Sequence, residues 1–336
     1  MKKIFFALAA VAALAACSKS EATYEQDVEI GFAPVVSNRT KAMQTTSTFP
    51  DEMFNVWAWY QQVDPGTTIA DWQEKADDQQ WYINEKTFLK KSDGLWGGAT
   101  AYYWPKLGSL MFAGYYPVSV AAKVNYEFTS EKNVMTIFDY TPGFVTKNLD
   151  HEEDLMYFNM TGSSQRNTEV SVTFRHALSW IDVILVKDAD TSEEAFITVN
   201  SVTFKNILPT GDATVDNSAI NGANTIQWGA KGAAADVVVT EAEGHLLVPE
   251  NTTPLEKQPL FIPQAMTKMI VNYTIASRDG SNFTETKEVE LAGLTPGQSK
   301  WLPGKKYTYT ITIGTTEVLI DPEVTEWNPV PVNVPI

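Results

Sequence analysis

Phe54-Asn55-Val56-Trp57-Ala58-Trp59-Tyr60-Gln61 alternates rather than repeating at helical spacing. In an extended chain Phe54, Val56, Ala58 and Tyr60 share one face, and Trp57 and Trp59 occupy the other. Bulky apolar side chains on both faces suit a strand covered on both sides, so this stretch predicts a strand inside a two-layer packing. Near the other end, Tyr307, Tyr309, Ile311 and Ile313 share a face opposite Thr308, Thr310 and Thr312, which reads as a strand with one buried side. Between these two lie short apolar runs at 110–116, 124–128, 134–138, 155–158, 170–174, 180–186, 197–204, 269–275 and 285–291. Turn signals separate them about every eight to twelve residues, the spacing of β-sandwiches. The stretch 176–180 alone hints at a turn of helix. The fold class is therefore all-β. A charged, uninterrupted bridge at 187–194 divides the chain into one sandwich over residues 27–187 and a second over 188–336.

The amino end carries an address. Lys2 and Lys3 precede an apolar run from Ile4 to Ala16, too short to span a bilayer, followed by Cys17. Residues 1–16 read as a signal peptide and 17–26 as a polar tether. Leu14-Ala15-Ala16-Cys17 resembles a bacterial lipobox, which implies cleavage before Cys17 and acylation of that residue. Cys17 is the single cysteine of the chain, so no internal disulfide can form and the exported protein depends on core packing. Removing 16 of 336 residues leaves 320, enough for two sizeable cores. Asp and Glu number 41 against 25 Lys and Arg, a formal charge of −16, which disfavours nucleic acid and anionic lipid surfaces as partners.

Two segments at opposite ends look extended and separable. Val28, Ile30 and Phe32 alternate with Asp27, Glu29 and Gly31, a first strand that Pro34 ends or edges. A polar loop holding Arg39, Thr40 and Lys41 follows. The chain closes on Asn328-Pro329-Val330-Pro331-Val332-Asn333-Val334-Pro335-Ile336. Val330, Val332, Val334 and Ile336 share one parity, while Pro329, Pro331 and Pro335 fall on the other. The prolines remove N–H donors from one edge and leave the other complete. Such a strand either caps a sheet edge of its own chain or lies in a groove on another molecule.

Few residues suggest chemistry. Asp150-His151-Glu152-Glu153-Asp154 is dense in carboxylates that could hold Ca²⁺, but it lacks the glycine and alternate spacing of a calcium loop and also reads as a solvated loop. His176, between Phe174 and Trp180, reads as a packed or capping histidine, and His245 has no partner in sequence. No nucleophile–base pairing or phosphate loop is present, so no catalytic, cofactor or metal residue is assigned. Trp72, Trp81, Trp96 and Trp228 stand in polar or Gly-rich surroundings. They would form a sugar-stacking platform if coplanar and exposed, and would plug sandwich edges if buried.

Three stretches together resemble the fimbrillin family, the Mfa-like subunits of type V pili. They are Tyr102-Tyr103-Trp104-Pro105 running into Leu110-Met111-Phe112-Ala113-Gly114-Tyr115-Tyr116-Pro117; Asp154-Leu155-Met156-Tyr157 with Val172-Thr173-Phe174-Arg175-His176-Ala177-Leu178; and Tyr307-Thr308-Tyr309 with Val324-Thr325-Glu326-Trp327. The resemblance implies two tandem transthyretin-like β-sandwich domains and a non-enzymatic, adhesive subunit exported as an outer-membrane lipoprotein. It also implies a cut after Arg39, leaving Thr40 first, and loss of the strand bearing Val28, Ile30 and Phe32. The vacated groove would then take Val330, Val332, Val334 and Ile336 from a neighbouring fimbrial subunit. A host or bacterial surface ligand is the further partner this role implies. A carbohydrate-binding surface lipoprotein using exposed tryptophans is the competing reading.

Overall fold

Strand β2 (Met53–Gln61) is buried along both faces, and the two faces belong to different cores. Phe54, Val56 and Ala58 point into a barrel, while Trp57 and Trp59 point outward beneath a second layer. The structure is a computed structural model, and it describes residues 28–36, 53–61, 80–143, 154–163, 169–217, 226–239, 244–248, 253–255, 258–294, 299–315 and 318–327. These are overwhelmingly strand, as the alternating pattern requires.

Strands β1 (Phe32–Val36), β3 (Gln80–Lys90), β4 (Trp96–Gly98), β5 (Ser109–Tyr116), β8 (Met156–Ser163) and β9 (Val170–His176) join β2 in a closed ring, in the order β1-β4-β3-β2-β5-β8-β9. An open sandwich was the expectation for this part of the chain. The ring forms instead because β1 pairs on both sides, with β4 and with β9. The interior is aromatic. Phe32 meets Phe54, Phe88 and Phe112 edge-on at centroid distances of 5.8, 5.0 and 5.2 Å, a preferred geometry for aromatic pairs. Gly114 of β5 makes room for Phe158, since a Cβ there would lie 2.3 Å from the ring.

After β5 a 3₁₀ turn over Val118–Lys123 leads into the hairpin β6 (Val124–Phe128) and β7 (Asn133–Tyr140). This hairpin recruits two later strands, β12 (Thr210–Asp216) and β13 (Gln227–Lys231), into one sheet ordered β13-β12-β7-β6. Val124, Tyr126, Met135, Ile137, Ala213 and Val215 cover the outward indoles of β2. A buried polar lock fastens the junction. Tyr126 Oη donates to Asn133 Oδ1 at 2.6 Å, and Asn217 Nδ2 donates to Tyr126 Oη at 2.8 Å. Asn133 Nδ2 donates to the Asn217 carbonyl at 2.7 Å. Burial pushes the Tyr126 phenol well above its ordinary value, so it remains a donor at any physiological pH.

The remaining strands form a sandwich. One sheet holds β10 (Ser179–Lys187), β16 (Thr253–Pro254), β17 (Leu260–Phe261), β20 (Lys305–Ile313) and β21 (Val318–Glu326). The other holds β11 (Ala195–Ile207), β14 (Ala235–Val239), β15 (His245–Leu246), β18 (Lys268–Ser277) and β19 (Asn282–Glu290). Ile181, Val183 and Leu185 interdigitate between them with Phe204, Tyr273, Trp301 and Tyr309. Strand β10 precedes the charged bridge at 187–194, yet it runs parallel to β20 along its whole length and stands with the later strands. The bridge is the link from β10 to β11, tied down by Lys187 Nζ donating to the carbonyls of Ser192 at 3.1 Å and Ala195 at 2.8 Å. Residues 176–180 form no helix, contrary to the hint in sequence. They carry the chain from β9 straight into β10, and their run of apolar residues reflects burial on all sides.

Trp327, just past β21, returns to this crossing. Its indole stacks on His176 at 3.8 Å and 6° and tilts against Trp180 at 5.5 Å. Its N–H donates to the Gly304 carbonyl at 2.8 Å. Trp327→Ala is expected to cost about 3–5 kcal/mol of stability, as for other buried tryptophans, measurable by denaturant unfolding.

Candidate functional site

The first strand and its cradle form the candidate site. Toward β9 the pairing is parallel, from Phe32 opposite Val170 to Val36 opposite Phe174. Toward the other side, Ile30 N donates to the Tyr102 carbonyl at 2.7 Å, and Trp104 N donates to the Val28 carbonyl at 2.8 Å. Phe32 then stands opposite Trp96 of β4. Val170 N donates to the Gly31 carbonyl at 2.8 Å, so the odd-numbered residues of this segment serve β9. Pro34 thus turns its missing donor to the opposite edge, beyond the last pairing with β4, where it costs no ladder bond. Glu29 pairs with Lys91 at the rim.

The three side chains singled out from the sequence behave differently. Ile30 and Phe32 are fully buried in the barrel core, while Val28 packs half-buried at its mouth. Burying Ile30 and Phe32 contributes roughly 3–6 kcal/mol of apolar transfer. What lies beneath them is almost wholly apolar: Phe54, Phe88, Phe112, Phe158 and Phe174. Lifting the segment out would bare that floor and two rows of backbone polar groups. Because the strand is the first of the barrel along the chain, a single break between Val36 and β2 would free it. Arg39 lies in that connection in sequence.

The other sequence-derived residues divide into those the structure describes and those it does not. Cys17, Arg39, Thr40, Trp72, residues 150–153 and the tail residues Val330, Val332, Val334 and Ile336 lie outside the described residues. Asp154 accepts from, or donates to, His176 Nδ1 at 2.5 Å, and among the described residues no grouping of three or more His, Cys, Asp or Glu could hold a metal ion. His176 is packed, as its surroundings in sequence suggest. His245 pairs opposite Val199 on β15. The described tryptophans do not share one platform. Trp81 is 43% exposed beside Trp59, Trp96 is buried in the barrel, and Trp228 is half-buried with its N–H tied to the Ala177 carbonyl at 2.7 Å.

Solved structures share this arrangement of strands. A fimbrial protein from Bacteroides vulgatus superposes with a TM-score of 0.60 at 16% identity, covering 89% of this chain and 99% of that one. The tip fimbrial protein Mfa3 from Porphyromonas gingivalis gives a TM-score of 0.41 at 11% identity, covering 88% of this chain and 100% of the other. No curated protein sequence matches. The fold is thus that of a fimbrial protein. Residues 40–327 match the fimbrillin-like family, and the chain belongs to it. That family is one of fimbrial structural subunits, not of enzymes. Residues 1–18 match a prokaryotic membrane lipoprotein lipid attachment site, which makes the chain a fimbrillin-like lipoprotein of the cell surface.

Proposed function

We propose that this chain is a fimbrial subunit that polymerises by strand exchange. Cys17 takes the lipid and holds the precursor at the outer membrane. A cut after Arg39 releases the segment carrying Val28, Ile30 and Phe32. The groove is refilled by Val330, Val332, Val334 and Ile336 of the next subunit. The observation that supports this best is the position of β1: it closes the barrel from both sides while being joined to the rest of the chain at one end only. The family match agrees in extent, beginning at Thr40 and ending at Trp327, so that the first strand and the tail both lie outside the shared body.

The energetics favour replacement over simple loss. An empty groove would expose apolar floor and unpaired strand edges, more than a marginally stable fold tolerates. Four aliphatic side chains entering it would recover roughly 6–10 kcal/mol, with backbone hydrogen bonds along the proline-free edge in addition. Other fimbrial subunits are therefore the partners. Arg39→Gln is expected to leave the surface protein uncut, with Cys17 blocked at its amino end and no entry into fibres. N-terminal sequencing of surface material reads this directly, and a mature start at Thr40 in the Arg39→Gln chain would refute the assignment of the cut.

A further inference from the structure

A cleft of about 630 Å³ opens where the barrel, the β13-β12-β7-β6 sheet and the sandwich meet. Its volume suits one or two small rings rather than a strand. The charges on its walls run against those of the molecule. The chain carries −16 overall, yet Arg175, Lys300 and Lys305 line this cleft against the single carboxylate Glu326. Lys305 is paired with Glu326. Among the described residues, Arg175 and Lys300 form no ion pair, which leaves two uncompensated cations facing one hollow.

The remaining walls are rigid. Arg175 projects from β9 opposite Tyr157, whose phenolic oxygen accepts from Ile226 N at 2.9 Å. Trp228 is half-buried, and its indole N–H bond to Ala177 fixes the ring at the cleft wall. A guanidinium can grip a carboxylate through two parallel hydrogen bonds, and an ammonium adds a point charge. A fixed indole beside them offers the flat apolar surface on which the C–H face of a sugar ring rests.

We propose that this cleft binds an acidic sugar, the carboxylate taken by Arg175 and Lys300 and the ring lying against Trp228. Binding here is separate from strand exchange, since none of these residues belongs to β1 or its cradle floor. The test is a titration of the full exported chain followed by saturation-transfer NMR, with glucuronic acid as probe. Glucose, glucose 6-sulfate and N-acetylglutamate serve as comparisons. Glucuronate should bind at least about tenfold more tightly than glucose and weaken as salt rises, as a charge-assisted contact requires. Arg175→Gln should weaken it by about tenfold or more, and Lys300→Gln, an exposed position that leaves the fold alone, by several-fold. Both variants should still enter fibres, which separates failure of this site from failure of the assembly scheme. Equal binding of glucose and glucuronate, or unchanged affinity in Lys300→Gln, would overturn the proposal. Equal or tighter binding of the sulfate would overturn the carboxylate assignment, and equal binding of N-acetylglutamate would overturn the sugar.

Discussion

A chain lacking residues 330–336 is expected to fold, to be processed, and never to enter a fibre. The described body ends at Trp327, which is already seated on His176 and Trp180, so the deletion removes no contact from either core. What it removes is Val330, Val332, Val334 and Ile336, worth roughly 6–10 kcal/mol when all four are buried. At that magnitude the effect on polymer is all or none, because each tenfold in an association constant corresponds to about 1.4 kcal/mol. Size-exclusion chromatography and electron microscopy of the processed chain give the answer. If the shortened chain still forms fibres, another segment is the donor.

Phe32→Ala should produce the second large effect, and an asymmetric one. Phe32 is fully buried and touches three other phenylalanines. Its truncation should destabilise the precursor by about 3–5 kcal/mol, read from the shift in denaturant midpoint. Once the strand has been cut away, the substitution is gone with it. Fibres grown from processed Phe32→Ala chains should then match wild-type fibres in thermal stability. Equal destabilisation of precursor and fibre would mean that the first strand stays in place, and the exchange scheme would fail.

Much of this architecture is legible in the sequence because strands covered on both faces advertise themselves. The two faces of β2 separate into the two cores that its alternation implies. Strand β3 is not legible in the same way. Its buried residues Ile83 and Phe88 fall on opposite parities, because the register against β2 slips between Ile83 and Lys86, where Glu85 takes φ 45°. A bulge of this kind erases the period of two on which sequence reading depends. Strand β12 escapes notice for another reason. Its buried positions are Gly211, Ala213 and Val215, too small to register as an apolar run although they line one face.

Part of the candidate site shows the same limit. Ile30 and Phe32 were readable as core residues from alternation alone, but the closure of the ring was not, since the partner β9 lies more than a hundred residues away and pairs in parallel. Arg175 sits in an unremarkable strand, and Lys300 in a link between strands. Only the crossing of three layers brings them to one hollow, and nothing local in the chain encodes that meeting.

The sheet that joins β6 and β7 to β12 and β13 has a mechanical meaning for a filament. Its middle ladder runs from Gly211 opposite Tyr140 to Asp216 opposite Val134, side by side rather than end to end. A pull applied at the two ends of a subunit cannot part barrel from sandwich by stretching a single tether. It has to shear that ladder and break the Tyr126–Asn133–Asn217 lock together, so each link in the thread should yield late and all at once.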